Sequence, residues 1–329
     1  MKGYKQSDLT LVVGTRYTEH FTKRIQAQFP ELKIIACAKD EELAAAALEA
    51  DVLFLRYNLP RGGLLKGLLK DALKLKWIQI TEAGADTLIP VLSDLKQKVE
   101  VTCMRGTHGD IMSEYILCVI LMLLRNFPRY LKNQERKIWE QDRADSLRGK
   151  TVLILGLGQI GKVLARRIKA FDARVIGLEK EETRVDHVDL QVPPSKLMEV
   201  LPEADVVCTT LPLTPETRNF IQEKQFRAMK KTAFFINTAR GAIVDEGSLI
   251  RALKEKWIAG AVVDAFTTEP LPPESELWNL PNLILTPHIS GAITEEEYVQ
   301  RRLEIFSENL QRFIAGEELI NLVDPSRGF

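Results

Sequence analysis

The sequence predicts an α/β fold with two doubly wound parallel sheets. Short apolar runs of strand length alternate with stretches of helical length, and a second series of this kind begins at Thr151. Apolar strands that alternate with amphipathic crossovers must be covered on both faces, as they are in a parallel sheet. The 329 residues exceed the size at which a single core usually stops growing, which favours two domains.

The first series of strands ends near residue 105. Its predicted strands are LTLVVG, KIIAC, DVLFL, KWIQI and VEVTC, separated by polar, alanine-rich or leucine-rich stretches. One long apolar helix over residues 113–126 (SEYILCVILMLLRN) follows them. Because this helix is hydrophobic on all sides, we expect it to be buried between the two units.

The second series supplies the strands of a second sheet. After the run TVLIL come RVIGLE, ADVVCTTL, AFFINT, AGAVVDAF and LILTPH, with crossovers such as DEGSLIRALKEKW. A last helical segment covers residues 294–315, and its periodicity is compatible with packing on either unit. No repeat of 20 to 50 residues and no low-complexity linker is present, so neither a solenoid nor a flexible tether is expected.

The charge balance argues for a small-molecule partner. Lysine plus arginine and aspartate plus glutamate number 45 each, so no net field favours nucleic acid or an anionic membrane. The longest apolar stretch, residues 116–124, is shorter than the roughly 18 to 20 residues of a membrane span. No signal-peptide core follows Met1, and we expect a cytoplasmic protein.

The cysteines predict neither a metal site nor disulfides. They lie in or beside apolar segments, without a CxxC motif and without a histidine at ligand spacing. We expect buried thiols in a reducing compartment at these four positions: Cys37, Cys103, Cys118 and Cys208.

A glycine-rich turn opens the second series. In TVLILGLGQIG a strand ends at Gly156, Gly158 and Gly161, and the helical pattern KVLARRIKAF follows directly. Gly156 permits a tight turn, Gly158 lets backbone N–H groups approach a phosphate, and Gly161 lets the helix pack close to the strand. The helix N-terminus favours an anion, so the segment predicts a dinucleotide pyrophosphate site.

Glu179 indicates which dinucleotide binds. It ends the run RVIGLE, eighteen residues after Gly161, where a carboxylate can accept hydrogen bonds from the adenosine ribose. A carboxylate repels a 2′-phosphate, so NAD is favoured over NADP. Lys180 beside it would partly offset that repulsion.

Polar residues follow three strands of the second series. Ligands of open α/β sheets bind outside the carboxyl ends of the strands, so these residues should share one crevice. They are Asn237, Thr238 and Arg240 after AFFINT, Asp264 and Glu269 at or after AGAVVDAF, and His288 at the end of LILTPH.

Three of these residues form a set suited to ketone reduction. A hydride that arrives at a ketone carbon leaves an oxyanion that needs a proton, and His288 is the natural donor. Glu269 is a candidate for the carboxylate that orients its ring and favours the imidazolium. Arg240 offers a planar fork for the carboxylate of a 2-oxo acid.

The motifs GLGQIG, LPLTPETRNFI, INTARGAIVDEGSL, AVVDAFTTEPLP and TPHISG resemble the D-isomer-specific 2-hydroxyacid dehydrogenase family. The resemblance runs continuously over residues 147–291 and is weaker in the first unit, in LKWIQITEAGAD. It implies a Rossmann cofactor domain, residues 106–291, inserted in a flavodoxin-like substrate domain, residues 1–105 and 292–329. The family's catalytic arginine, glutamate and histidine fall on Arg240, Glu269 and His288.

The resemblance also implies cofactor contacts. Asp264 and the backbone near Thr238 would hold the nicotinamide carboxamide, while Leu211 and Pro212 would line the nicotinamide. The full predicted cofactor set is Gly156, Gly158, Gln159, Ile160, Gly161, Glu179, Leu211, Pro212, Thr217, Thr238, Ala239, Asp264 and Gly291. Homodimers are implied through the cofactor domain, including the stretch around Trp139.

The implied substrate contacts lie mostly in the first unit. The loop from Arg56 through Tyr57 to Asn58 and the turn Ala83–Gly84 resemble segments around the 2-oxo acid, and N–H groups of the turn would contact its carboxylate. Arg240 and His108 are the remaining residues of the predicted substrate-binding set. His108 stands where formate dehydrogenases have asparagine, and it is either a polar wall of the pocket or a satisfied interdomain histidine.

The predicted function is hydride transfer between NAD and a small 2-oxo or 2-hydroxy acid, such as glyoxylate, hydroxypyruvate or a pyruvate-like compound. Glu269 stands where formate dehydrogenases have glutamine, which favours oxo-acid chemistry. Two alternatives stay open: an NAD-sensing binding protein of the corepressor type with little turnover, and a phosphoglycerate dehydrogenase. We expect no metal.

Overall fold

A computed structural model of the chain describes residues 3–56, 69, 71–85, 99–181 and 183–324. The chain divides into two compact units. The first contains the residues up to Thr107 and those from Ile293 on, and the second is His108–Ala292. Each unit has one parallel β-sheet with helices beside it, so the predicted fold class is confirmed.

The sheet of the first unit has five described strands in the order β2-β1-β3-β4-β5, which is the flavodoxin-like order. Every neighbouring pair is parallel. The strands are β1 (Thr10–Gly14), β2 (Lys33–Ala36), β3 (Val52–Leu55), β4 (Trp77–Ile80) and β5 (Glu100–Thr102).

The sheet of the second unit has seven described strands, again all parallel. They are β6 (Thr151–Leu155), β7 (Arg174–Leu178), β8 (Leu190–Val192), β9 (Val206–Thr209), β10 (Phe234–Asn237), β11 (Gly260–Val263) and β12 (Leu283–Leu285). Their order is β12-β11-β10-β9-β6-β7-β8, the Rossmann order with one further strand. The order reverses at the fully buried strand β6, and in doubly wound sheets ligands bind at such a point.

The described α-helices are α1 (Thr18–Gln28), α2 (Asp40–Ala47), α3 (Gly109–Leu124), α4 (Phe127–Glu135), α5 (Gln159–Lys169), α6 (Leu197–Val200), α7 (Glu223–Ala228), α8 (Glu246–Lys254) and α9 (Glu295–Ala315). Short 3₁₀ helices cover Gln6–Asp8, Pro194–Lys196, Leu201–Glu203, Gly241–Ile243 and Glu276–Asn279. No single helix in the described part is long and apolar enough to cross a membrane, and only α3 and α4 taken together, bent by 66°, meet that test.

Helix α9 packs in the first unit. Its Phe306 stacks on Phe54 of β3, with ring centroids 4.3 Å apart, and on Trp77 of β4 at 5.4 Å. All three aromatic side chains are fully buried. Aromatic rings of this size dominate the energetics of a core, which explains why the chain returns to this sheet after the second unit.

Candidate active site

The glycine turn after β6 has the geometry of a phosphate cradle. Gly156 has a φ of 100°, which favours glycine, and a Cβ on Gly161 would lie 2.1 Å from the carbonyl oxygen of Gly156. A Cβ on Gly158, in contrast, would meet no atom of the protein within 4 Å. Gly158 directly precedes helix α5, so open space lies at a helix N-terminus. The turn therefore fits a dinucleotide pyrophosphate.

Glu179 directly follows β7 and is bonded to this turn. Its Oε2 accepts a hydrogen bond from the backbone N–H of Leu157 at 3.2 Å, and its Oε1 accepts one from the N–H of Lys180 at 2.8 Å. The half-buried carboxylate borders a cavity of about 610 Å³. Other residues around this cavity include Leu157, Lys162, Arg166, Thr183, Arg184, Asp186 and His187.

The loop after β9 lies on the glycine turn. A Cβ on Gly156 would approach Leu211 to 3.2 Å, and Thr210 donates its hydroxyl to the Gly156 carbonyl oxygen at 2.7 Å. Thr217 donates to the carbonyl of Pro212 at 2.7 Å, so its hydroxyl folds the loop back on itself. Sequence reasoning did not single out Thr210, although its place at the carboxyl end of a buried strand was an available signal.

Asn237, at the end of β10, shapes the loop that presents Arg240. Its buried side chain accepts from the N–H of Ala239 at 3.2 Å and donates to the carbonyl of Arg240 at 3.2 Å. The half-buried Arg240 donates from Nη1 to the Ala239 carbonyl at 3.0 Å. Thr238 is buried in the same turn.

Gly241 brings this loop against the segment that carries Glu269. A Cβ at Gly241 would lie 2.0 Å from the carbonyl carbon of Phe266 and 2.2 Å from the nitrogen of Thr267. Only glycine allows two backbones to approach so closely. The loops after β10 and β11 are therefore in direct backbone contact.

Glu269 and His288 form a close pair. The Nδ1 of His288 lies 2.8 Å from Oε2 and 3.1 Å from Oε1 of Glu269, and Glu269 Oε1 also accepts from the N–H of Phe266 at 2.9 Å. The side chain of His288 is 45% exposed, and that of Glu269 is 37% exposed. Because Nδ1 faces the carboxylate, Nε2 is the nitrogen of His288 available to a reacting group.

Asp264 fixes the loop that carries this histidine. The carboxylate is fully buried and accepts from the Thr286 hydroxyl at 2.6 Å and from the N–H groups of Ile289 and Ser290, each at 2.8 Å. His288 lies between these donors with a φ of 55°, a conformation uncommon outside glycine.

Tyr115 of helix α3 extends the network around Asp264. Its hydroxyl lies 2.5 Å from Thr286 Oγ1. Burial, with a smaller contribution from the charge of Asp264, raises the pKa of Tyr115 to about 12, although the hydrogen bond with Thr286 acts in the opposite direction. Neither Tyr115 nor Thr286 was singled out from the sequence. Tyr115 is a polar residue within an apolar helix, and the sequence of that helix does not indicate that its hydroxyl belongs to a site.

His108 and Gly291 are neighbours in the second unit. A Cβ on Gly291 would lie 2.9 Å from Cδ2 of His108, so the imidazole packs on the backbone just after the His288 loop. His108 is half-buried and directly precedes α3.

The predicted substrate residues of the first unit follow two neighbouring strands. Arg56 comes directly after β3, and its N–H donates to the carbonyl of Gly14 at 3.2 Å. Ala83 and Gly84 are half-buried in the turn after β4. Because β3 and β4 are adjacent and parallel, these residues lie at the same edge of the sheet. Tyr57 and Asn58 lie outside the described residues.

Among the described residues, no group of three or more histidine, cysteine, aspartate or glutamate side chains is arranged to hold a metal ion. Cys37, Cys103 and Cys208 are buried as predicted, whereas Cys118 of helix α3 is exposed, so the prediction of a buried thiol was wrong at that position. Burial raises the pKa of the Cys37, Cys103 and Cys208 thiols, so these groups are poor nucleophiles at neutral pH.

A family model described as the NAD-binding domain of D-isomer specific 2-hydroxyacid dehydrogenases matches residues 117–290. The chain belongs to this family. It is 35% identical to a glyoxylate reductase of Aeropyrum pernix over 293 residues, which are 86% of each chain.

Solved structures agree with the family. A D-isomer specific 2-hydroxyacid dehydrogenase family protein of Aeromonas salmonicida has a TM-score of 0.88 and 32% identity, covering 97% of this chain and 99% of its own. A D-isomer specific 2-hydroxyacid dehydrogenase of Xanthobacter autotrophicus, in complex with NADPH and MES, has a TM-score of 0.85 and 28% identity, covering 98% of this chain and 100% of its own. The predicted family resemblance is therefore confirmed. The present chain is an NAD(P)-dependent dehydrogenase of 2-hydroxy acids.

Proposed function

We propose that this dehydrogenase reduces a small 2-oxo acid, with glyoxylate and hydroxypyruvate as the first candidates, and uses NADH in preference to NADPH. The observation that carries the proposal is the Glu269–His288 pair, with Nδ1 and Oε2 2.8 Å apart, in the unit whose glycine turn fits a dinucleotide. The relative named glyoxylate reductase supports the substrate class. An NAD-sensing protein without turnover is not favoured.

His288 is the proposed acid in the reduction. The nicotinamide, when bound, supplies the hydride that reduces the carbonyl carbon at position 2 of the acid. Negative charge then develops on the carbonyl oxygen, and His288 donates a proton to it from Nε2. Glu269 accepts from Nδ1–H, so it keeps the ring oriented and stabilises the imidazolium before the transfer. In the reverse direction the same nitrogen accepts the proton.

Arg240 is the proposed clamp for the substrate carboxylate. A guanidinium binds a carboxylate through two parallel hydrogen bonds, and it also stabilises negative charge on the neighbouring 2-oxo oxygen. The bonds from Asn237 give the Arg240 loop a fixed conformation. For the first unit, substrate contacts of Arg56 and of the Ala83–Gly84 turn stay predictions from the family resemblance, as does a pocket role for His108.

Glu179 is the proposed determinant of the NADH preference. Its carboxylate borders the 610 Å³ cavity and would repel a 2′-phosphate, whereas Lys162, Arg166 and Arg184 around the same cavity would attract one. The preference is tested by kcat/KM for NADH and for NADPH. We expect NADH to be favoured at least about tenfold, and Glu179→Gln to reduce that ratio, while Glu199→Gln, an exposed residue of helix α6 that does not line the cavity, leaves it unchanged. A wild-type preference for NADPH would contradict the proposal.

The second unit has the apolar surface for a homodimer, which is the proposed assembly. Trp139 is 93% exposed, and Phe127, Leu131 and Ile138 of the same segment of the sequence are also exposed. Large exposed apolar side chains are typical of protein–protein interfaces, and aromatic residues are common at their centre. A cytoplasmic location stays a prediction from the sequence.

A matrix of cofactors and substrates tests the proposed function. NADH and NADPH are each combined with glyoxylate, hydroxypyruvate, pyruvate and 3-phosphohydroxypyruvate, and loss of the reduced-nicotinamide absorbance is followed. We expect NADH oxidation with glyoxylate or hydroxypyruvate. A clear preference for 3-phosphohydroxypyruvate would favour the phosphoglycerate dehydrogenase alternative, and no turnover with any acid would contradict the proposal.

A further inference from the structure

Three side chains connect helix α3 to the loop that carries His288. The Tyr115 hydroxyl lies 2.5 Å from Thr286 Oγ1, and Thr286 Oγ1 lies 2.6 Å from Asp264 Oδ1. We call Tyr115, Thr286 and Asp264 the Tyr115 chain. All three belong to the second unit, and Asp264 is completely buried.

The direction of the hydrogen bonds in the Tyr115 chain follows from its carboxylate end. A carboxylate only accepts, so Thr286 must donate its hydroxyl proton to Asp264. The lone pairs of the Thr286 oxygen then remain to accept from Tyr115 O–H. Burial raises the pKa of Tyr115 to about 12, so the phenol keeps its proton at neutral pH and stays a donor.

The carboxylate end of the chain acts on the backbone around His288. Asp264 accepts from the N–H groups of Ile289 and Ser290, the two residues that follow His288. His288 itself has a φ of 55°, and its N–H donates to the carbonyl of Thr286 at 2.9 Å. A left-handed backbone at a residue with a bulky side chain persists only when surrounding bonds enforce it.

We infer that Tyr115 and Thr286 are positioning residues for the proposed reaction, because through Asp264 they hold His288 in its left-handed conformation beside Glu269. The inference rests on the proposed function, because the orientation of His288 affects turnover only if His288 is the acid of the reduction. Thr286 donates to the fully buried carboxylate of Asp264, and a buried hydrogen bond to a charged group is stronger than one in water.

A merely structural role would have different consequences. In that case removal of either hydroxyl would lower the melting temperature and leave the turnover of the folded protein unchanged. A positioning role predicts a loss of kcat at a temperature where the variant is fully folded and still binds NADH. The two residues should also depend on each other, because Tyr115 acts on Asp264 only through Thr286.

The test compares Tyr115→Phe, Thr286→Val and the double variant, with Thr286→Ser as the conservative change and Tyr4→Phe as a control in the first unit. We expect kcat with glyoxylate and NADH to fall about tenfold in Thr286→Val and about threefold in Tyr115→Phe. Thr286→Ser should keep most of the activity, and the double variant should match Thr286→Val. The melting temperature of each variant serves as the check on folding, and kcat is measured at saturating NADH.

The outcomes separate this inference from the proposed function. His288→Ala is measured beside the other variants, and wild-type turnover in that variant would contradict the proposed function and the inference together. If His288→Ala loses turnover while Tyr115→Phe and Thr286→Val keep it, the inference alone is wrong. If the two single losses of kcat multiply in the double variant, Tyr115 and Thr286 act separately, and the inference that they act through the Tyr115 chain is wrong. Should Thr286→Val fail to fold, the isosteric Tyr115→Phe decides.

Discussion

At the scale of single residues, the Glu269–His288 pair is too exposed to be explained by stability. Their side chains are 37% and 45% exposed, and ion pairs open to solvent contribute about 0 to 1 kcal/mol to the free energy of unfolding. The same exposure leaves the second nitrogen of the imidazole open to a reacting group. A functional role therefore accounts for the pair better than a structural one.

Removing the charge of Glu269 should affect catalysis far more than folding. Glu269→Gln keeps the size of the side chain but no longer stabilises the imidazolium, so we expect kcat to fall on the order of 10- to 100-fold. The melting temperature should stay close to that of the wild type. Glu274→Gln, an exposed acid in the same segment, is the control, and equal kcat values for the two variants would refute the role of Glu269.

Arg240 should matter for binding of the substrate carboxylate. Arg240→Lys keeps the positive charge but loses the planar fork, so KM for the 2-oxo acid should rise about tenfold or more, with KM for NADH little changed. Steady-state kinetics with both substrates varied provides the measurement. Arg218→Lys, an exposed arginine of the same unit, should behave as the wild type. An unchanged KM in Arg240→Lys would rule out the clamp.

Residues at the ends of strands were predictable from the sequence, but their partners were not. Arg240 and Glu269 follow the buried strands β10 and β11, and His288 follows the half-buried strand β12. Topology alone brings the ends of parallel strands to one edge. Asp264 instead accepts from the Thr286 hydroxyl and from the N–H groups of Ile289 and Ser290, and Tyr115 reaches Thr286 from helix α3. Such tertiary details leave no periodic trace in the sequence.

At the scale of elements, the glycine turn assigns different roles to glycines three residues apart. A Cβ at Gly161 would collide with the Gly156 carbonyl, at 2.1 Å, because helix α5 passes close to the strand end. A Cβ at Gly158 would enter open space next to the helix N-terminus. One glycine therefore serves packing and the other leaves room for a ligand.

Alanine at the two positions should separate stability from binding. Gly161→Ala should lower the free energy of unfolding by about 1–3 kcal/mol, since the added methyl group forces backbone to move. Gly158→Ala should fold as the wild type and bind NADH at least about tenfold more weakly, because the methyl group occupies the place of a phosphate. Thermal unfolding and NADH titration provide the two measurements. Tight NADH binding by Gly158→Ala would contradict the cradle.

The long elements were easier to predict than the short ones. Runs such as RVIGLE and AFFINT became β7 and β10 because their side chains are almost wholly buried. Strand β8, Leu190–Val192, was missed, since three residues with a glutamine in the middle carry no usable pattern. Helix α3 begins at Gly109, whereas the predicted helix begins at residue 113. The prediction missed the first turn because that turn has no apolar periodicity.

At the scale of the whole molecule, periodicity predicted the two parallel sheets but not the unit on which the last helix packs, and only the family resemblance assigned residues 292–329 to the first unit. Alternating apolar runs predict parallel sheets, and both sheets have the orders expected of doubly wound folds. Periodicity left helix α9 compatible with either unit. The stack of Phe306 on Phe54 and Trp77 assigns it to the first unit, and such a contact depends on side-chain shape.

The assembly of the molecule can be tested at its exposed aromatic surface. Wild-type protein should have twice the mass of one chain in size-exclusion chromatography with light scattering. Trp139→Asp should shift it towards the mass of a single chain, since a charge at the centre of an apolar interface is costly. Trp278→Asp, at another exposed tryptophan of the second unit, should stay dimeric. A monomeric wild type would contradict the homodimer.

The role of His288 in the reduction of a 2-oxo acid by the NADH-bound protein can be tested in one rapid-mixing measurement. Wild-type protein and His288→Ala are loaded with NADH and mixed with glyoxylate, with His20→Ala as the control. We expect fast NADH oxidation by the wild type and by His20→Ala. His288→Ala should bind NADH equally well and oxidise it roughly 100- to 10,000-fold more slowly. Equal rates in all three proteins would show that His288 takes no part in the reduction.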